Sequence, residues 1–141
     1  MKTRILVTLF IVVVCSLSVF SQAKKFQIDV AIHASGSQVE SDLRNYLSRE
    51  LRTLGDVDLV ESGALTINVI EIGLKTTNNT VVGHALAYTI TEVISCQGNI
   101  YSNTLASGLE TTDLDGMSKT CEIIITKIDK GILEKRRKAK S

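Results

Sequence analysis

Residues 25–34, KFQIDVAIHA, alternate between apolar and polar positions. Phe26, Ile28, Val30 and Ile32 share one parity; Lys25, Gln27, Asp29, Ala31 and His33 share the other. A period of two predicts a strand with one buried face. Ser35–Ser37 breaks it, and the period then changes. Val39, Leu43, Tyr46, Leu47, Leu51 and Leu54 recur at helical spacing, which predicts an amphipathic helix from Ser37. Ser37 and Glu40 match the S-x-x-E capping box, and Gly55 stands where a helix end favours a left-handed residue.

A short strand is expected around Val57–Val60. In ALTINVIEIGLK, residues 64–75, Leu65, Ile67 and Val69 keep one parity and Ile70, Ile72 and Leu74 the other. A β-bulge between Val69 and Ile70 would bring all six to one face and send Glu71 outward. TTNNT reads as a turn, with a glycosylation-type triplet at Asn78–Thr80. VVGHALAYTITEVISC, residues 81–96, reads as one long strand. After the QGN turn comes a weaker strand at a sheet edge, IYSNTLASGLE. Thr112 and Asp113 offer an N-cap for a last helix, whose apolar stripe is Met117, Cys121, Ile124, Ile125, Ile128 and Ile132.

These elements predict an α+β fold: a single domain with a four- or five-stranded mixed sheet and two helices packed on one face, in the order β-α-β-β-β-β-α. The first strand–helix–strand passage implies a right-handed crossover, and the later strands an antiparallel meander.

The ends of the chain qualify this picture. Lys2 and Arg4 precede an apolar stretch, Ile5–Phe20, and small residues follow it. Residues 1–23 are therefore expected to be a secretory signal peptide, leaving a domain over 24–134 and a basic tail over 135–141. Cys15 sits within the apolar stretch without a convincing lipid-attachment motif. The expected location is secreted or periplasmic. Without Lys2 and Arg4, the 16 basic residues of the chain become 14 against 15 acidic ones, so nucleic acid is not an expected partner. Lys135–Lys140 holds five basic residues. It reads as a solvated terminus, and membrane contact is expected only through it.

Cys96 and Cys121 remain after cleavage. An oxidising compartment and an even count favour a disulfide between them, and both fall on inward-facing positions of the strand and the last helix. No residue is expected to be catalytic. His33 is on the polar face of its strand. His84 is expected to be partly buried and hydrogen-bonded, and no metal or cofactor spacing accompanies it. His84 and Cys96 lie about 40 Å apart along one strand, too far to act together. Glu92, also on the inward parity, should pair with a basic residue or lie beyond the helices. The other face of the long strand carries Ala85, Ala87, Thr89, Thr91 and Val93. These small, uncharged positions are the expected contact face, for a partner or for a second copy of the chain. The edge strand offers another pairing site.

The run LRTLGDVDLVESGALTINVIEI, followed by long strands and a final helix, resembles cell-envelope domains of the TolB N-terminal, CsgG and LpoB-like type. That resemblance implies a scaffold or regulatory role in the envelope. Together with the residues above, it favours an exported, non-enzymatic domain acting through protein–protein contacts with an envelope or secreted partner. An inhibitor or immunity-type protein against a secreted toxin or enzyme is the alternative. A small enzyme using His84 is the second.

Overall fold

A computed structural model describes residues 25–139. The expected signal peptide, Cys15, and Lys140 with Ser141 lie outside the described residues. The elements are β1 (Phe26–His33), α1 (Ser37–Thr53), β2 (Val57–Leu59), β3 (Leu65–Lys75), β4 (Val81–Cys96), β5 (Asn99–Asp113) and α2 (Met117–Ile128). A π-helical turn, Asp129–Leu133, carries α2 on into a short α3, Glu134–Lys138.

The five strands form one mixed sheet in the order β2-β1-β3-β4-β5. β1 runs parallel to both β2 and β3, and β3, β4 and β5 are antiparallel neighbours. The inner face presents Ile28, Val30, Ile32, Leu65, Ile67, Val69, Leu86, Tyr88 and Ile90, all buried. Against it lie Leu43, Leu47 and Leu51 of α1, together with Met117, Cys121, Ile124, Ile125 and Ile128 of α2. The two apolar helix stripes read from spacing are thus the second layer of the core.

β2 and β3 flank β1 and run in the same direction, so residues 60–64 must carry the chain across β1. Gly63 makes this crossing. A Cβ there would stand 2.6 Å from the Gln27 carbonyl oxygen and 2.9 Å from the Asp29 amide nitrogen. Only a residue without a side chain lets the two backbones approach so closely.

Several local expectations are corrected. The Ser37–Glu40 capping box does not form: Gly36 is the N-cap, and its carbonyl accepts the Glu40 amide at 3.0 Å. Ser37 is already inside the helix. Gly55 is left-handed as expected, at φ 73°. β3 has no bulge at Val69/Ile70; its register shifts only between Leu74 and Lys75. β5 runs to Asp113, so Thr112 and Asp113 finish a strand, and Gly116 caps α2. The basic stretch is folded up to Lys138. Arg137 makes a two-pronged bond to Asp56, at 2.6 and 2.8 Å, and a third bond to Asp129 at 2.6 Å. Three carboxylate contacts outweigh the fraying expected from composition alone.

Candidate functional site

The unbroken register of β3 rearranges both faces of the sheet. Ile70 and Ile72 stay on the outer face, 49% and 59% exposed. Glu71, expected outside, is buried on the inner face. It lies there because its polar needs are met. Glu71 Oε2 accepts from the Ser35 amide at 2.8 Å and the Ser35 hydroxyl at 2.7 Å, and Oε1 lies 2.6 Å from His84 Nδ1. Burial by itself would raise the carboxyl pKa. The hydrogen bonds from His84 and Ser35 outweigh that and hold it below its ordinary value. His84 is buried and hydrogen-bonded, as its place in β4 predicts. Its partner escapes a reading of the sequence because a bulge at Val69/Ile70 would reverse the parity of Glu71.

This cluster has its carboxylate in the middle. Ser35 Oγ donates to Glu71, and His84 bonds the other oxygen of the same group. A nucleophile needs a base beside it, with an acid behind the base. Here the serine is bonded to the acid, and the arrangement holds the β1–α1 loop against β3 and β4. Among the described residues no group of three or more His, Cys, Asp or Glu side chains is placed to hold a metal ion.

The two cysteines are free thiols, which corrects the expected bridge. Cys121 is fully buried in α2, while Cys96 is exposed opposite Asn99 at the end of β4. Inward parity does not bring them together, because β4 outruns the helix layer before it reaches Cys96. Burial pushes the Cys121 thiol up to about 12, with a further push from the nearby Glu50 carboxylate. Glu92 pairs with Arg136 at 2.8 Å, and that bond lowers its carboxyl pKa. His33 is exposed.

The outer face is more apolar than its small residues imply. Cross-strand register aligns His33, Ile70, Ala87 and Leu109 in one row, and Ile72, Ala85 and Thr111 in the next. Leu109, in edge strand β5, is 65% exposed. The expected contact positions Ala85 and Ala87 therefore form the floor between exposed Ile70 and Ile72 on one side and Leu109 on the other. Thr89 and Thr91 continue this face in a more polar form, and Val93 leaves it for the hairpin that extends beyond β3. The larger residues are absent from the expected face because a bulge would have placed Ile70 and Ile72 in the core.

No protein-family model and no curated protein matches this chain. Among solved structures it is similar to the PelC dodecamer of Paraburkholderia phytofirmans, with 13% identity and a TM-score of 0.45 over 77% of this chain and 89% of that one. It is also similar to the rare lipoprotein B of Shewanella oneidensis, at 11% identity and a TM-score of 0.31 over 80% and 99% of the two chains. A minor lipoprotein of Acinetobacter baumannii shows 15% identity and a TM-score of 0.35 over 78% and 94%. Likenesses this loose carry no assignment of function, which leaves the residues of this chain to supply one.

Proposed function

We propose that this chain is an exported, non-enzymatic domain of the cell envelope that works by protein–protein contact across the outer face of its sheet. The observation that carries this reading is the row Ile70, Ala87 and Leu109 with Ile72 beside it. β3 and β5 place large apolar side chains on either side of a floor of β4 alanines, and these side chains stay exposed among the described residues. An apolar patch of this kind on an otherwise balanced surface marks a contact site. The polar cluster at Ser35, Glu71 and His84 supports the non-enzymatic part, since its bonds are spent on holding a loop in place.

The test is a photo-crosslinking residue introduced at Ile72 or Leu109 in living cells. A single adduct of defined mass is expected from both positions. It should disappear when Ala87→Arg is added, while the fold, followed by circular dichroism, persists. No adduct from either position, or an adduct indifferent to Ala87→Arg, would sink the reading. An adduct at twice the mass of the chain would identify the partner as a second copy.

A further inference from the structure

Three features meet at one end of the sheet. The first is a hairpin arm. Leu65, the first residue of β3, pairs with Glu92, and the Val93 amide bonds the Ala64 carbonyl at 3.0 Å. From Ile94 to Cys96, β4 has only β5 beside it. The arm closes at Gln97 and Gly98, whose φ values of 51° and 80° suit a two-residue I′ turn. Val93, Ile94, Ile100 and Tyr101 are between 42% and 78% exposed. Ile94 and Tyr101 stand opposite each other on one face; Val93 and Ile100 lie diagonally on the other. No charged residue occurs between Glu92 and Glu110.

The second feature is basic. The 2.8 Å bond from Arg136 to Glu92 fixes α3 at the base of this arm, with Lys135 exposed beside it and Lys140 following in the sequence. The third is the entry of the chain. Ile28 pairs with Leu65, and Phe26 lies two residues further out. β1 therefore begins at this same end of the sheet.

We infer that the arm is a membrane-interface element that buries its tip in an anionic lipid surface, with the basic α3 lying over the headgroups. A flat protein partner would cover one face of the arm, yet both faces carry large apolar side chains. A medium that surrounds the tip meets both. The tip has no charge to desolvate. Four residues beyond Glu92 reach about 13 Å, enough for the roughly 5–10 Å depth of an interfacial element. Tyr101 suits the boundary, where one end of a ring is apolar and the other wet. Arg136 and Arg137 are paired with carboxylates, and exposed Lys135 beside them adds attraction for anionic headgroups. This docking surface lies about 20 Å along β4 from Ala87, so it is separate from the outer-face patch.

The chain has no tryptophan, so Tyr101→Trp is a single reporter of the tip. The processed, exported chain carrying it is mixed with vesicles of phosphatidylglycerol and phosphatidylcholine, or of phosphatidylcholine alone. Indole emission from the Tyr101→Trp variant should shift to the blue with the anionic vesicles, and lipids brominated near the headgroup should quench it. Ile94→Ser with Ile100→Ser should weaken sedimentation with these vesicles roughly ten-fold or more, at unchanged melting temperature. Lys135→Gln should weaken it about five-fold. Sedimentation with the indole of Tyr101→Trp left in water would place the contact elsewhere on the chain, and that result overturns the proposal. So does binding indifferent to the double variant. A vesicle-free oligomer that the double variant dissociates would also overturn it, by showing that a second copy covers the arm.

Discussion

Glu71 Oε1 and His84 Nδ1 lie 2.6 Å apart on the inner face of the sheet, where the glutamate side chain has no solvent exposure and the histidine side chain only 9%. They are diagonal neighbours across β3 and β4, because Gly73 is the residue opposite His84 and Leu86 the one opposite Glu71. Removing either partner strands the other away from water. His84→Ala should cost about 3 kcal/mol in urea unfolding. A loss under about 0.5 kcal/mol would show that the pair does not hold β3 to β4.

The same carboxylate gives the fold an acid-sensitive element. Its folded-state pKa is held below the ordinary 4.5. The stability it contributes is therefore present above that value and lost as the pH falls through the lower folded-state value. Glu71→Gln should flatten the fall in melting temperature below pH 4.5 relative to wild type. Parallel curves for the two proteins in that window would exclude Glu71 as the cause.

At Gly63 the contact is with backbone, so the surroundings cannot yield by turning a side chain. Gly63→Ala should cost about 3 kcal/mol. Gly36→Ala, with nothing within 4 Å of the added Cβ and an extended backbone, should stay within about 1 kcal/mol. Equal melting temperatures for the two variants would contradict a close backbone crossing at Gly63.

The two described thiols differ in access. Cys96 should react with a thiol reagent in the native protein within minutes, and Cys121 only on unfolding, because the thiolate is the reactive form and burial opposes it. Cys96→Ser should remove the fast phase completely. A fast phase that survives in Cys96→Ser but disappears in Cys121→Ser would mean that α2 opens readily.

Arg137 joins the end of the helical run to Asp56, in the loop before β2, and to Asp129. Arg137→Ala should cost about 2 kcal/mol. Arg137→Lys should recover less than half of that, since an ammonium cannot make the two-pronged contact. Full rescue by lysine would mean that charge alone, and not the planar fork, holds α3 in place.

Where local spacing decides a face, the chain is legible. The alternation in β1 and the stripes Leu43–Leu47–Leu51 and Cys121–Ile124–Ile125–Ile128 are all core. The parity switch in β3 invites the premise that isoleucines seek the inside and glutamate the outside. Ile70, Ile72 and Glu71 do the reverse, because Ser35 and His84, distant in sequence, supply the bonds that make a buried carboxylate tolerable. The cysteines mislead for a related reason: parity says which way a side chain faces, and says nothing of how far the opposing layer extends.

The sequence by itself determined the element order, the mixed sheet with its helical cover, a turn at Gln97–Asn99 and the partial burial of His84. These follow from periodicity and backbone preference, which act within a few residues. Only the tertiary structure decided which partner Glu71 would find, how far β4 and β5 would outrun the helices, and that the basic stretch would fold back onto Asp56, Asp129 and Glu92. Each depends on the lengths of elements set side by side by the sheet, and such lengths are properties of the assembled layers.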